Sequence, residues 1–143
     1  MSPHDPAYWQ KMNAPVIKSF RANDGKPARR TLPLLLLTTT GAKTGREHTT
    51  PLNYSTDGDR LVVIASKGGS PAHPAWYHNL VANPEVTIEL GTETFRARAV
   101  TTQEPERTRL FDQQAAQMPF FDSYRRRVKA REIPVVVFER LSD

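Results

Sequence analysis

At 143 residues with no cysteine, the chain has the size of one domain able to bury roughly two-thirds of its surface, and it can form neither a disulfide framework nor a thiolate metal site. Hydrophobic residues at 38% and charged residues at 24% exclude a disordered polyelectrolyte, and no stretch approaches the ~20 apolar residues that cross a bilayer. The net charge of +5 is localised: eight Lys/Arg face two Asp/Glu up to Arg46, against twelve and thirteen from Glu47 onward, a bias suited to a polyanionic small molecule, an anionic membrane surface or nucleic acid.

The N-terminal segment MSPHDPAYWQKMNAPVIKSFRAND lacks the apolar core of a signal peptide, so a reducing cytoplasm is the expected compartment. Within it Tyr8, Trp9, Met12, Val16, Ile17 and Phe20 recur at spacings that put most of them on one side of a helix, interrupted by Pro15. Asn23-Asp24-Gly25-Lys26-Pro27 then carries turn chemistry. This divides the chain into an N-terminal helical arm with its linker, 1–30, and a body, 31–143.

The body reads as short β-branched and aliphatic runs separated by Gly, Pro and Asp signals. Leu34 to Thr39 is a buried strand; Thr49 to Ser55 and Arg60 to Ser66 form a hairpin about Asp57-Gly58-Asp59. A helix opens at Pro74 and stops at Asn83, because Pro84 disfavours its continuation. Val86 to Leu90 and Thr94 to Thr101 form a second hairpin, turning at Gly91. Thr101-x-x-Glu104 resembles a capping box for a second helix running towards Met118. Ile133 to Phe138 closes the series as a strand buried on both faces. About six strands and two internal helices, with strands meeting through hairpins, favour a mainly β, antiparallel barrel over βαβ units.

Two loops carry the chemistry. TTTGAKTGREH holds Gly41, Lys43, Thr44, Gly45 and Arg46 within six residues, so backbone amides, hydroxyls and two cations could converge on a phosphate or carboxylate; the plainer alternative is an ordinary hairpin loop. It is not a P-loop, since G-x-x-x-x-G-K-[ST] is absent and a strand follows. Ser66-Lys67-Gly68-Gly69 repeats the pattern at a strand end, ahead of a helix whose N-terminus favours anions. On that helix Trp76 shares the core face with Leu80, and Asn79 either offers an amide to a ligand or sits at the surface. His4, His48, His73 and His78 show no ligand spacing, so no metal is expected. Arg125, Arg126, Arg127, Lys129 and Arg131 read as a solvated turn or helix end. Nucleic acid is not expected as a partner, because no aromatics interleave with the basic residues and no helix-turn-helix or RNP-like pattern occurs.

TTTGAKTGREHTTPLNY, DGDRLVVIASKGGSPAHPAWYHNLVANPEV and REIPVVVFER together resemble the deazaflavin-dependent nitroreductase family, the A group of the F420-dependent split-barrel oxidoreductases, over roughly Phe20 to Arg140. The resemblance implies a split β-barrel of the FMN-binding-like type that binds coenzyme F420 and passes hydride to a small-molecule acceptor such as a quinone, enone or nitro compound. It implies cofactor contacts at Ala42, Lys43 and Thr44 with Arg46 and His48 nearby, along Thr49, Thr50, Pro51, Leu52 and Asn53, at Ile64, Ala65, Ser66 and Lys67, and at Trp76, Tyr77, Asn79 and Phe121. Ser66, Asn53 and Tyr124 are the expected hydrogen-bonding groups on the acceptor side, where charge develops. The pattern departs from the nitroaromatic-reducing member at two places: Asn53 follows Pro51-Leu52 in place of a tyrosine, and Met118 to Tyr124 clearly retains only Tyr124 of three tyrosines. The alternatives are an FMN-binding split-barrel oxidoreductase and a non-catalytic F420-binding or membrane-surface protein. The basic, amphipathic arm makes contact with the inner face of the cell membrane a further expectation, alongside its packing over the barrel mouth. Split barrels often pair, which leaves a homodimer open.

Overall fold

Four consecutive leucines, Leu34 to Leu37, offer no polar face, so the strand they form must be covered on both sides. That strand is β1, Leu34–Thr40, in a computed structural model that describes residues 6–25, 32–128 and 131–142. Lys26, Pro27 and the rest of the expected linker, His4 and Lys129 lie outside the described residues. Alternation sends Leu35 and Leu37 into an inner core with Val63, Trp76, Leu80, Val86, Ile88 and Val136. Leu34 and Leu36 meet Val16, Ile17 and Phe20 of helix α1, Pro6–Ala22, on the other face. The arm therefore packs on the outside of the sheet through the second half of its apolar stripe. Met12, one turn earlier, stays exposed.

Pro15 does not interrupt α1, although it removes one backbone donor. The ring sits on the exposed side, while Val16, Ile17 and Phe20 on the covered side hold the backbone helical. Gly25 then ends the arm with its N–H on Phe20 O at 2.8 Å and φ of +81°. A β-carbon there would lie 2.4 Å from Gly91 Cα, so only glycine lets the arm's end touch the hairpin turn beyond.

The sheet has seven strands in the order β2-β1-β5-β6-β7-β4-β3, every adjacent pair antiparallel. The others are β2 Glu47–Asn53, β3 Ser55–Asp57, β4 Arg60–Ile64, β5 Glu85–Leu90, β6 Glu93–Thr101 and β7 Val135–Arg140. The run expected as one strand, Thr49 to Ser55, is thus two, broken at Tyr54. Those two strands form opposite edges of the sheet. Because consecutive Cα atoms are only ~3.8 Å apart, joining the two edges through one residue forces the sheet to curl into a half-barrel. Pro51 marks the first edge, since it has no N–H for a neighbour on each side.

Three helices follow α1 where the sequence predicts two: α2 Ala75–Ala82, α3 Glu106–Gln117 and α4 Phe120–Arg127. α2 plugs the inner core with Trp76 and Leu80. α3 and α4 cover the outer face of β4 and β7, where Leu110, Phe111, Ala115, Met118 and Phe121 meet Val62, Ile64, Val135 and Val137. Too short to persist alone, α4 depends on that packing. Arg125 also ties it to α3, 2.6 Å from Asp112 and 4.4 Å over the Phe111 ring. The charge run at Arg125, Arg126 and Arg127 is the end of this helix.

The capping box does not form. Thr101 is the last residue of β6, and α3 begins beyond Pro105. Glu104 caps the helix instead, accepting from Thr108 N at 2.9 Å, and the Thr108 hydrogen bonds followed by Arg107 hold its carboxyl below the usual range. Among the described residues no helix is long and apolar enough to cross a membrane.

Candidate functional site

Strand direction decides which loops can meet. The antiparallel chain of pairings makes β1, β4 and β6 run the same way, so the loops after Thr40 and Ile64 leave the same end of the half-barrel. α2 sits across that end. Asn79 donates to Thr39 Oγ1 at 3.1 Å and accepts from Ala42 N at 3.0 Å, Asn83 reaches Thr40 O at 3.4 Å, and Thr101 Oγ1 lies 3.5 Å from Tyr77 OH. Asn79 is buried and holds the first loop in place.

That loop, residues 41–46, closes on itself. Gly41 N donates to Arg46 O at 2.7 Å, Gly45 N to Gly41 O at 3.0 Å and Arg46 N to Thr44 Oγ1 at 3.2 Å. None of these bonds uses the amide of Lys43 or Thr44, and Ala42 through Arg46 are exposed. Among the described residues Lys43, Arg46 and Lys67 have no carboxylate partner.

The second loop is shaped from outside. Ser66 opens a 3-10 turn, Lys67–Gly69, in which Lys67 itself adopts φ of +49°. Arg131 reaches in from the approach to β7 and donates to Ala65 O at 3.1 Å, Ser66 O at 2.8 Å and Ser70 O at 3.0 Å. It also contacts His73 Nδ1 at 2.9 Å. Burial, then Arg131 and His78, lower the His73 pKa. Gly69, with φ of +83°, lies against Tyr124: a β-carbon there would be 3.4 Å from the Tyr124 ring.

Between the two loops the barrel is split. β2 and β3 are joined at Tyr54, and β3 covers β4 only up to Val62. Beyond that point β4 is paired on one side only, with β7 through Val63 and Ile64, while β2 is paired only with β1. The predicted segments Thr49 to Asn53 and Ile64 to Lys67 therefore lie on the two lips of one opening, with cationic loops at its head.

The lips do not present every predicted residue alike. Register with β1 puts His48, Thr50 and Leu52 on the inner face beside Thr39, Leu37 and Leu35, and Thr49, Pro51 and Asn53 on the α1 face. Thr49 bonds Thr38 across the strands at 2.8 Å, and Asn53 donates to Pro33 O at 3.1 Å. Gly69 donates to Ser66 O at 3.0 Å and lies against Tyr124, whereas Asn53 is not part of this loop. Its neighbour Ser55 pairs with Val62, four residues before Ser66, on the order of 13 Å along the chain. Trp76 and Ala65 are buried in the inner core, and Ile64 and Phe121 in the outer one. Phe121 instead supports the ring of Tyr124, with centroids 5.8 Å apart.

Two residues escaped the sequence reading. Tyr54 sits at the foot of the split with its ring against the inner core, and burial raises its phenol pKa, which keeps it a proton-bearing donor. An aromatic directly after a proline-bearing edge strand was the available signal. Arg131 gave none, because its partners lie some sixty residues earlier in the chain.

The family model described as F420H(2)-dependent quinone reductase matches residues 9–140. An F420H(2)-dependent quinone reductase of Mycobacterium tuberculosis (strain ATCC 25618 / H37Rv) is 42% identical over 129 residues, covering 85% of each chain. A solved F420-H2 dependent reductase is 34% identical with a TM-score of 0.68, covering 75% of this chain and 94% of its own. A solved domain-swapped dimer is 31% identical with a TM-score of 0.71, covering 94% and 100%. A half-barrel split between two cationic loops, matched in sequence and in structure over most of its length, places this chain in the F420H(2)-dependent quinone reductase family of oxidoreductases.

Proposed function

We propose that this chain reduces a quinone-class acceptor by hydride transfer from reduced coenzyme F420 held in the split between β2 and β4. The carrying observation is the pair of loops at one end of the split, whose cations Lys43, Arg46 and Lys67 lack carboxylate partners among the described residues. Those charges and the uncommitted amides of Lys43 and Thr44 fit the phosphate and acidic tail of the deazaflavin cofactor. The long anionic tail also favours F420 over FMN. When bound, the reduced cofactor supplies a two-electron hydride donor.

The protein's own task is to orient, exclude water and stabilise charge. The lips offer the inner-face residues His48, Thr50 and Leu52 on one side and the Ser66-Lys67 turn on the other. Ser66 is buried at the strand end and makes no side-chain cap bond, and its hydroxyl would donate to an acceptor oxygen entering the split. Tyr124, against Gly69, is the second donor on that side. Preorganised donors of this kind act where negative charge develops on the acceptor. Asn53 lies on the α1 side with its amide engaged by Pro33 O, so it is not assigned an acceptor contact.

The test is a parallel fluorescence titration with F420 and FMN, followed by reoxidation of reduced F420 with a benzoquinone and a naphthoquinone. Tighter binding of F420 and quinone-dependent reoxidation are expected. Preference for FMN, or no reoxidation with either quinone, overturns the reading. The domain-swapped relative supports a homodimer for this chain, which light scattering checks. Cytoplasmic action at the membrane surface fits a quinone acceptor. Val16, Ile17 and Phe20 already cover the sheet, while Met12 is exposed, so Met12 would lead the lipid contact, and vesicle co-sedimentation of a Met12→Glu variant tests it.

A further inference from the structure

A guanidinium has five N–H donors, and the five contacts that Arg131 makes among the described residues fall on one short loop. Nε donates to Ser70 O at 3.2 Å; Nη1 reaches Ala65 O at 3.1 Å and His73 Nδ1 at 2.9 Å; Nη2 donates to Ser66 O at 2.8 Å and Ser70 O at 3.0 Å. These acceptors stand at both ends of the Lys67–Gly69 turn, so one planar group fixes its span. The charge is not neutralised. Among the described residues no carboxylate pairs with Arg131, and neighbouring Glu132 is taken by Arg107 at 2.5 Å. Burial without an anion lowers the Arg131 pKa.

The His73 contact sets a condition. Arginine can only donate, so Nδ1 must accept, which requires a neutral imidazole with its proton on Nε2. Protonated His73 would bring N–H against N–H and one cation against another. Facing His73 are Arg131, the His78 ring at 5.7 Å and the Tyr77 ring at 5.0 Å, and among the described residues His73 forms no ion pair with a carboxylate. Its pKa is depressed, so the contact is complete above the ordinary histidine range and is lost as pH falls through the lowered value.

We infer that Arg131 is a positioning residue of the reductase site, that it shapes the Ser66–Ser70 turn for the cofactor, and that it does so only while His73 is neutral. Naming the ligand as F420 rests on the proposed function; the shaping of the turn does not.

The experiment has two readouts on the full chain. Backbone amide shifts of Lys67, Gly68 and Gly69 are followed by NMR from pH 8 to pH 5 without ligand, and F420 affinity is followed by fluorescence over the same range. The proteins are wild type, His73→Asn, whose amide oxygen can accept from Arg131 without titrating, and Arg131→Lys, which keeps the charge but cannot span the turn. Wild-type shifts are expected to move together with a midpoint below the usual histidine value, and the transition is expected to be absent in H73N. Wild type should lose about tenfold in affinity relative to H73N at the acid end. R131K should displace the three shifts at every pH and weaken binding at pH 7.5 by about tenfold or more. Identical pH profiles for wild type and H73N overturn the inference, as do unmoved shifts in R131K. Should R131K not fold, the H73N comparison decides. A loop transition in a protein that binds no F420 would sink the reductase reading and leave the positioning role standing. Tight F420 binding with no transition would do the reverse.

Discussion

The two loops at the head of the split are held by opposite means. Residues 41–46 fold on their own backbone, take one anchor from Asn79 and leave Lys43, Thr44 and Arg46 exposed. Residues 66–70 carry their shape from outside, through a partly buried arginine sixty-odd positions later and a helix packed against Gly69. The first loop can therefore change its charges without cost to the fold. The second cannot be altered at its support without altering the site.

The largest expected effect follows from that freedom. Replacing Lys43 and Arg46 together by glutamate should weaken F420 binding by at least about 100-fold, since each charge-assisted contact contributes on the order of 1.5–3 kcal/mol. The melting temperature should hardly move, because both side chains are exposed and have no carboxylate partner among the described residues. A fluorescence titration beside a thermal melt checks both halves. Parallel losses in affinity and Tm would show that the first loop, too, is structural.

Asn79→Ala removes the hydrogen bonds by which α2 holds Thr39 and Ala42 at the first loop, leaving Asn83 on Thr40 O. It strands the Thr39 hydroxyl and the Ala42 amide, at a cost of about 1–3 kcal/mol and roughly 3–10 °C in Tm. An unchanged melt would mean that the loop holds itself entirely. A smaller effect is expected on the other side: Gly69→Ala must bear a positive φ and a β-carbon touching Tyr124, at about 1 kcal/mol. Its Tm should fall by about 3 °C, and a Tyr124→Ala background should relieve only the contact part.

How much of this was legible follows the same division. The strands of the body, the first loop and the anion-binding chemistry of its residues were readable because alternation, turn residues and charge act within a few positions. The break at Tyr54 was not, although Pro51 hinted that this strand is an edge. The link from Asn53 to Ser55 is a fact about barrel closure, and no local propensity encodes it. α4 was hidden because a helix with Phe121, Tyr124 and three arginines has little to recommend it until β4 and β7 supply a surface. Arg131 was grouped with its solvated neighbours for the same reason: its four acceptors assemble only in the fold. Asn53 and Tyr124 were expected together on the acceptor side, but Asn53 lies on the α1 face of β2 while Tyr124, on α4, lies against Gly69.

Acid titration adds the smallest effect and a control at the far end of β4. Asp57, at the hairpin where β3 meets β4, accepts from Arg109 and Arg60, and those bonds hold its carboxyl below the usual range. Its contribution is present above the ordinary carboxylate value, about 3.9, and is lost as pH falls through the lowered one. His73 acts in a separate window, below the histidine value of about 6.5. A stability titration of the wild-type protein should therefore show two declines, the first removed by His73→Asn and the second reduced by Asp57→Asn. Both Arg109 and Asp57 are accessible to solvent, so the acid step should be shallow and should shrink with added salt. If His73→Asn removed neither decline, or if salt abolished the one near neutrality, the second loop would be held by surface charge, as an exposed ion pair is, and the contrast between the two loops would disappear.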